Sequence, residues 1–548
     1  MFVPSWLKSY QPEWFKNDLI AGVTLAAFLI PAGLAYASMA NLPPEAGLYS
    51  CFAAGLFFWF FSTSANTVIA VTSAISLLIG ASLGTIAGGD ISKFAALASA
   101  TALLVSAMAL IAWYMRAGVV INFISESVMV GFKIGIGLFL ISTQLPKLLG
   151  FHGTHGYFIE NVSNIIHHLN DIHPASLALG VAALVLLVLG NTFLKNRPVS
   201  LIVLVLGIGA SMFFGLEALG VKVLGTLPAG IPTPSLPHVG WEQFNDLLPL
   251  AFAAFLLASV ETAAIGRMFP SKNGSRFDPN KEFLAIGVSN AAAGLMHGFP
   301  VSGGTSQSLV NADAKAQTLL SGLIASIVIA TVILFFTPWL APLPQPVLAA
   351  IILMAVTSLI KPSAILHLYR VEREEFIVAL FVIIGVLASG LLRGIFIGVM
   401  ISLVLLLKRA STPNISQLGR IANTDTFLDI TQHEDAQTIP DTLIFRINSS
   451  LLYFNIDYVR DTISELINKQ QPQPSKVLLQ LSSTPYIDHQ SALALAEFAD
   501  TLKEKGIQFY ALEAHNSVRE KLNTLGLSHR LGRDDPNLTV ADIILKRK

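Results

Sequence analysis

One polar stretch of this sequence, residues 297–318 (HGFPVSGGTSQSLVNADAKAQT), lies between two strongly apolar segments, where polar groups must find partners or line a cavity. Gly303 and Gly304 allow the backbone to break there. The run that follows can be helical and begins with Thr305, Ser306 and Gln307. A helix that begins at membrane depth presents free N–H groups and the positive end of its dipole, which predicts an anion-binding site. A surface loop between two membrane helices is the alternative.

A second polar opening lies at a comparable position in the first half of the chain. The third apolar run, residues 68–88, opens with the hydroxyl side chains of Thr67, Thr72, Ser73 and Ser76. Interrupted helices at corresponding positions of two halves are typical of transporters built from inverted repeats, which bind substrate near the middle of the membrane. Ordinary hydrogen bonding of Ser and Thr side chains to their own helix is the competing interpretation.

Glu261 is the acidic residue that lies well inside an apolar run, LLPLAFAAFLLASVETAAIGRMF. An ionisable group at that depth is costly, so it should face a cavity or a partner. A role in coupling transport to an ion gradient is the preferred interpretation. Pairing with Arg267 at the membrane edge is the alternative.

The composition excludes several other classes of protein. The 548 residues are 53% hydrophobic and 12% charged, whereas soluble proteins carry about 25% charged residues, so this is an integral membrane protein. The formal net charge is zero, so nothing indicates a nucleic-acid partner. Cys51 is the one cysteine, which excludes an intramolecular disulfide. Because the sequence contains neither a Walker-type phosphate-binding motif nor a catalytic constellation, we predict neither an ATP-driven pump nor an enzyme.

The densest histidine cluster falls in a polar loop between apolar runs. Its members are His152, His155, His167, His168 and His173. A solvated face is the preferred interpretation over a metal site. We therefore predict no metal and no cofactor other than a coupling proton or sodium ion.

Four segments are predicted along the chain. Residues 1–17 mix aromatic and basic side chains and should lie at the level of the lipid headgroups. Residues 18–412 contain enough apolar runs for twelve to fourteen membrane helices. Residues 413–437 are interpreted as a linker, and residues 438–548, where charges are frequent, as a soluble domain.

Basic residues at both ends of the membrane segment predict its orientation. Lys8 and Lys16 precede the first span, and Lys408 and Arg409 end the last one. Because basic residues concentrate on the cytoplasmic side of membrane helices, both termini are expected in the cytoplasm.

The soluble domain alternates short strands and helices, which predicts a partly parallel sheet covered by helices. The predicted strands are residues 442–447, 451–454, 476–481 and 507–512. The predicted helices are residues 456–469, 491–505 and 517–525, the last two of which end at glycine.

Three parts of the sequence carry a resemblance to a known family. They are residues 18–49 (DLIAGVTLAAFLIPAGLAYASMANLPPEAGLY), residues 276–311 (RFDPNKEFLAIGVSNAAAGLMHGFPVSGGTSQSLVN) and the soluble domain, where IDHQSALAL follows a strand. Together they resemble the sulfate permease (SulP) anion transporters, the family that includes the motor protein prestin, with a C-terminal STAS domain. The resemblance implies an all-α membrane domain of seven plus seven helices in an inverted repeat, divided into core and gate subdomains. It also implies a small α/β STAS-like domain and commonly a homodimer.

The resemblance further implies an anion site between two facing half-helices, the third and the tenth. By position, its residues are Ser73 and Ala74 on the third helix and Thr305, Ser306 and Gln307 on the tenth. Tyr36, on the first helix, matches an aromatic position that flanks the anion. Glu261 matches an acidic position that many members use for proton or sodium coupling.

The sequence departs from the family pattern at this site. Gln307 stands where many members have Arg, and Ala32 where many have Gln. Val71 and Thr72 replace the usual Gly-Pro before the third half-helix. Without a guanidinium group, the half-helix dipoles, at about half a charge each, must hold the anion. This favours a monovalent anion, or a cation bound beside the anion, over sulfate.

The STAS-like domain departs from the family's phosphorylated relatives as well. In bacterial anti-sigma-factor antagonists an Asp-Ser-Ser-Gly loop carries a phosphorylated serine, and here the aligned residues are Asp488, His489, Gln490 and Ser491. Gln490 at the acceptor position cannot be phosphorylated. Ser491 is predicted to cap the following helix instead.

We therefore expect a secondary active transporter of small inorganic anions of the sulfate or bicarbonate class. It would be coupled to protons or sodium and would work by elevator-type alternating access, a motion taken from the family. A passive anion channel or exchanger and an anion-sensing signalling protein are the alternatives. The expected surroundings are the inner (plasma) membrane, a second copy of the chain and a cytoplasmic protein partner of the STAS-like domain.

Overall fold

The computed structural model describes residues 6–7, 10–87, 90–118, 125–151, 153, 158–194, 198–269, 277–357, 359–422, 424–532 and 538–545. The chain divides into two compact units, Met1–Ser402 and Leu403–Lys548. Lys8 of the predicted interfacial segment, and His152 and His155 of the histidine cluster, lie outside the described residues.

The first unit is helical. Its first half contains α1 (Trp14–Met39), α2 (Pro44–Phe61), α3 (Ser73–Ala87), α4 (Ile91–Tyr114), α5 (Glu126–Leu149), α6 (Phe158–His167), α7 (Pro174–Phe193) and α8 (Val199–Phe214). Its second half contains α9 (Trp241–Met268), α10 (Pro279–Leu295), α11 (Thr305–Asp313), α12 (Leu320–Thr331), α13 (Thr337–Leu340), α14 (Gln345–Val356), α15 (Pro362–Val371), α16 (Arg373–Ser389) and α17 (Leu391–Ser411), which continues into the second unit. A π-helical stretch, Val332–Phe336, joins α12 to α13.

Six of the described helical segments are long and apolar enough to cross a membrane. They lie in α1, α4, α5, α7 and α9, and across α12 and α13. Three shorter apolar helices lie in α3, α8 and α14. A chain with this many apolar helices is a multi-pass membrane protein, as the composition predicts.

Two short strands precede the two interrupted helices. β1 (Ile69–Ala70) comes before α3, and β2 (Ser302–Gly303) comes before α11. The strands pair antiparallel, with Ile69 opposite Gly303 and Ala70 opposite Ser302. Their pairing satisfies backbone groups at the place where each chain segment is not helical, which is what an interrupted membrane helix requires.

Asp18 joins the two halves of the first unit through a buried carboxylate. It is fully buried on α1 and accepts hydrogen bonds from the backbone N–H of Gln317 (2.7 Å), the N–H of Thr318 (3.0 Å) and the Thr318 hydroxyl (2.6 Å). These three donors lie in the segment just before α12, so Asp18 satisfies polar groups of that segment and holds it against α1.

Asp18→Ala is expected to destabilise the first unit by about 3 kcal/mol, because it leaves three buried or partly buried donors without an acceptor. The thermal midpoint of the detergent-solubilised protein should fall clearly. The control is Asp171→Ala, at an exposed turn, which should leave the midpoint unchanged. Equal midpoints for the two variants would contradict this role of Asp18.

The second unit contains a sheet of six strands with helices on it. The strands are β3 (Ile415–Ile421), β4 (Phe427–Asp429), β5 (Ala436–Gln437), β6 (Thr442–Ile447), β7 (Lys476–Gln480) and β8 (Gln508–Leu512), and the helices are α18 (Ile456–Lys469), α19 (His489–Glu504), α20 (Asn516–Thr524) and α21 (Val540–Leu545). Their order is β4-β3-β6-β7-β8, with β5 also paired to β3. The strands β6, β7 and β8 are parallel and β3 is antiparallel to β6, as expected for a partly parallel sheet.

Two parts of the second unit differ from the prediction. Residues 413–437 are not a free linker, because they form β3, β4 and β5, and β3 pairs with β6 through Ile415 and Ile447. Residues 451–454 are not a strand. Leu451 makes a single bridge to Ile487 and is fully buried, so its apolar character reflects core packing rather than sheet pairing.

Asp488, not Ser491, caps the start of α19. Its carboxylate accepts hydrogen bonds from the N–H of Ser491 (2.8 Å) and from the N–H of Tyr453 (2.7 Å). Partial burial tends to raise the pKa of Asp488, but the hydrogen bonds from Ser491 and Tyr453 outweigh it and hold the pKa below the usual value. Asp488 therefore stays ionised and ties the loop after β6 to the helix after β7.

Candidate functional site

The two predicted half-helices begin side by side. Beyond the paired strands, the N–H of Gly304 donates to the carbonyl of Val68 (3.0 Å), and the N–H of Val68 donates to the hydroxyl of Ser308 (2.9 Å). These contacts hold the chain before α3 against the first turn of α11. Both helices therefore present their N-terminal ends, where free N–H groups and the positive dipole end lie, in one region of the first unit.

A cavity of about 420 Å³ reaches this region from one side. Along α1 it is lined by every fourth residue, namely Ile20, Thr24, Phe28, Ala32 and Tyr36. Along α11 and just beyond it the lining residues are Ser306, Val310, Asp313 and Ala314. The opposite wall is formed by residues of α7, α8 and α14 and their ends. The cavity thus lies between two groups of helices.

The structure brings only some of the predicted site residues to this cavity. Tyr36 and Ser306 line it. The Tyr36 phenol, which is largely buried, lies within interaction range of the Ser73 hydroxyl, so the third helix starts next to the inner end of the cavity. Ala74 is buried and Thr305 is exposed, and neither is among the lining residues.

Gln307 adopts a different role from the one expected for an anion ligand. Its side-chain amide is buried and donates to the carbonyl of Val71 at 3.0 Å. The side chain folds against Gly304, where a Cβ would lie 1.9 Å from the Gln307 amide oxygen and would displace the amide from this position. Gln307 therefore links the two half-helix ends to each other and does not point its amide into the cavity.

Glu261 lies in a cluster of hydroxyl groups at the same place. Its Oε2 accepts a hydrogen bond from Ser302 (2.8 Å) and lies 3.5 Å from the Thr72 hydroxyl, and these two hydroxyls are 3.0 Å apart. Ser302 belongs to β2, and Thr72 lies between β1 and α3. One carboxylate on α9 therefore contacts the chain segments that directly precede both half-helices. Arg267, the alternative partner, has its guanidinium 6.0 Å from the centre of the Phe277 ring.

Three residues of this region were missed in the sequence. Lys133 on α5 lies within electrostatic range of the Glu261 carboxylate. Thr262 accepts a hydrogen bond from the N–H of Gly303 (2.9 Å) and so fixes β2 to α9. Asp313 lines the cavity. The sequence could have indicated Lys133, because a lone lysine inside an apolar run is as costly in a membrane as Glu261 and should likewise face a cavity or a partner.

The described histidines make local contacts. Nδ1 of His167 lies 2.7 Å from the carbonyl of Ser163, and Nδ1 of His173 accepts the N–H of Ser176 (3.3 Å) at the start of α7. In the described part of the chain, no group of three or more His, Cys, Asp or Glu side chains is arranged to hold a metal ion.

The chain is similar to two known domain families and to several known transporters. The sulfate permease family matches residues 15–382, and the STAS domain matches residues 434–542. The probable sulfate transporter MT1781 of Mycobacterium tuberculosis (strain CDC 1551 / Oshkosh) is 30% identical over 533 residues, covering 97% of this chain and 95% of its own. The chloroplastic sulfate transporter 4.1 of Arabidopsis thaliana is 29% identical over 548 residues, covering 96% of this chain and 80% of its own.

Two solved structures share the fold. SLC26A9 superimposes with a TM-score of 0.89 at 23% identity, covering 99% of this chain and 91% of that one. The transmembrane domain of the cyanobacterial bicarbonate transporter BicA gives a TM-score of 0.62 at 22% identity, covering 72% and 98%. The predicted fold class, an all-α membrane domain followed by a small α/β STAS domain, is confirmed.

The curated relatives named above are transporters, so the prediction that this chain is not an enzyme is confirmed. The match to the family covers most of the membrane unit, and the match to the second domain covers most of the soluble unit. The chain belongs to the sulfate permease family of membrane transport proteins, with a STAS domain at its C-terminal end.

Proposed function

We propose that this chain is a secondary active transporter of a small inorganic anion of the sulfate or bicarbonate class. One observation carries the proposal: a 420 Å³ cavity is lined by Ser306, at the N-terminal end of α11, and by Tyr36, whose phenol lies within interaction range of Ser73 at the start of α3. Helix N-termini bind anions through free N–H groups and the dipole. Relatives named as sulfate transporters, and the likeness to a bicarbonate transporter domain, support the two anion classes.

We propose that the site consists of Tyr36, Ser73, Ala74, Thr305 and Ser306. Gln307 supports it from behind by linking the two half-helix ends. Because the two walls of the cavity belong to different groups of helices, movement of the α1 and α11 side against the α7, α8 and α14 side would expose the site alternately. This arrangement supports an elevator-type cycle.

We propose that Glu261 couples transport to a proton or sodium gradient. Its carboxylate contacts the segments that precede both half-helices, through Ser302 in β2 and through Thr72 just before α3. Neutralising that carboxylate by a proton or a sodium ion offsets the charge that the anion brings. This compensates for the missing guanidinium at position 307.

We propose further that the chain lies in the plasma membrane as a homodimer, with both termini and the STAS domain in the cytoplasm, where a protein partner binds that domain. Residues 18–412 are the transport domain in this proposal. Digestion of right-side-out spheroplasts with an added protease tests the orientation, since cleavage of the STAS domain from outside would contradict it. The mass of the purified particle tests the dimer.

Reconstitution into proteoliposomes tests the transport function. The purified chain should accumulate at least one labelled anion from a panel of sulfate, bicarbonate, chloride and nitrate, with saturable rates. Accumulation against the anion gradient should require a pH or sodium gradient. Uptake that only equilibrates would favour a channel or exchanger, and tight binding without uptake would favour a sensing protein.

A further inference from the structure

Helix α11 presents one stripe of side chains to the cavity. Ser306, Val310 and Asp313 are spaced by four and three residues, which places them on the same face of the helix, and all three line the cavity. Ser306 is next to the N-terminal end of α11, and Asp313 is its last residue. A carboxylate at the C-terminal end of a helix opposes the helix dipole, so helix stability does not explain it.

Asp313 lies toward the open end of the cavity. Its side chain is exposed, as are those of Ile20 on α1 and Asn191 on the facing α7, whereas Ala32 and Tyr36 at the inner end are each only 6% exposed. Of the described residues that line this cavity, Asp313 is the only one with a charged side chain. Any anion that reaches the half-helix ends by this route therefore passes a fixed negative charge before it meets a positive one.

The repulsion depends on the charge of the anion. The seven residue steps from Ser306 to Asp313 span roughly 10 Å at the rise of an α-helix. Over that distance, in a water-filled cavity with an effective dielectric constant of about 50, a fixed charge changes the binding of a monovalent ion by about threefold. The energy doubles for a divalent anion, so the factor is squared, to about tenfold.

We propose that Asp313 is a specificity-determining residue that favours monovalent over divalent anions at this mouth of the transport path. The proposal deepens the proposed function, because it rests on anion movement through this cavity. It also explains how the chain could discriminate by charge when neither wall of the cavity carries a described basic side chain.

The test compares wild type, Asp313→Asn and Asp313→Glu in proteoliposomes. The labelled anion that the wild type carries best serves as the reporter, and unlabelled sulfate and nitrate are competitors. Asp313→Asn should lower the inhibition constant of sulfate about tenfold and that of nitrate about threefold at low ionic strength. Asp313→Glu should leave both within about twofold. Because screening is nearly complete over 10 Å in about 1 M salt, a gluconate salt at that strength should remove the difference.

A single accessible thiol provides a second variant. Cys51 is the only cysteine and is buried, so Asp313→Cys offers one reactive site at the mouth. Modifying Asp313→Cys with a membrane-impermeant cationic thiosulfonate reagent should lower the inhibition constant of sulfate below that of the unmodified variant. An anionic reagent should raise it toward the wild-type value. If both reagents shift it in the same direction, the effect is steric and the proposal fails.

The remaining outcomes are also decisive. Equal changes for sulfate and nitrate, or a change that persists in high salt, would overturn the assignment of Asp313 while leaving the transport function intact. A wild-type chain that moves none of the panel anions overturns the proposed function itself.

Discussion

Glu261→Gln is expected to abolish gradient-driven anion accumulation, by about 100-fold or more, while exchange of labelled for unlabelled anion continues. Gln has nearly the same size as Glu, and its amide oxygen can accept the hydrogen bond that Ser302 donates to Glu261. The approach to the two half-helices should therefore keep its geometry. Gln cannot take up a proton, however, and has no charge with which to hold sodium, so the coupling step is lost. Uptake measured with and without a pH or sodium gradient reports the loss of coupling. Counterflow exchange, measured on the same preparation, reports whether the anion site still works.

The chain offers a matched control in Glu282. This carboxylate is also buried among hydroxyl groups, accepting hydrogen bonds from Ser62 (3.1 Å), the N–H of Thr63 (2.7 Å) and the Thr63 hydroxyl (2.8 Å). It ties α10 to the end of α2 and does not line the cavity. Glu282→Gln should lower stability but keep gradient dependence in the protein that folds. Unchanged pH- or sodium-dependent uptake in Glu261→Gln would rule out the coupling role.

The contrast between these two carboxylates shows what the sequence could establish about this site. Glu261 stands out because it lies deep in an apolar run, and the structure places it against Ser302 and Thr72. Glu282 lies near a helix start, where an acidic residue is ordinary, so the sequence offers no reason to single it out. Depth within an apolar run is visible in the sequence, whereas the partner of a side chain is not.

The half-helices themselves could be predicted, because their cause is local. Gly303 and Gly304 permit a break, and a helix must restart soon after a break in a membrane. The pairing of β1 with β2 depends instead on residues more than two hundred positions apart. Each strand is only two residues long, which is too short to produce a recognisable strand pattern in the sequence. The structure therefore adds how the two breaks are joined.

The errors in the soluble unit have a related cause. Residues 415–421 alternate between inward and outward positions only weakly, and the strand they form is held by pairing to β6 rather than by its own apolar pattern. The predicted strand at residues 451–454 failed for the opposite reason. Leu451 is apolar and fully buried, but it makes only one β-bridge. The apolar character of a segment indicates whether it is buried. It does not determine whether the segment pairs with a neighbouring strand.

Gln307→Leu is expected to reduce the initial rate of uptake about tenfold or more and to lower the thermal midpoint. The side-chain amide donates to the carbonyl of Val71, which lies 236 residues away in the chain, so this one contact fixes the end of α11 to the approach to α3. Leu retains most of the volume but leaves the Val71 carbonyl without its donor, at a cost of about 1–3 kcal/mol. Because the proposed site holds the anion between the ends of both helices, a small separation of those ends should weaken its binding.

The control for this variant is Ser306→Ala, at the neighbouring position. Ser306 lines the cavity and so should affect transport, but it lies outside the link between the half-helix ends and should leave the thermal midpoint unchanged. Gln307→Leu should lower both quantities. Had Gln307 been an ordinary anion ligand, as its position in the family suggests, its loss would weaken transport without reducing stability. A thermal midpoint for Gln307→Leu equal to that of Ser306→Ala would therefore return Gln307 to the role of a direct ligand.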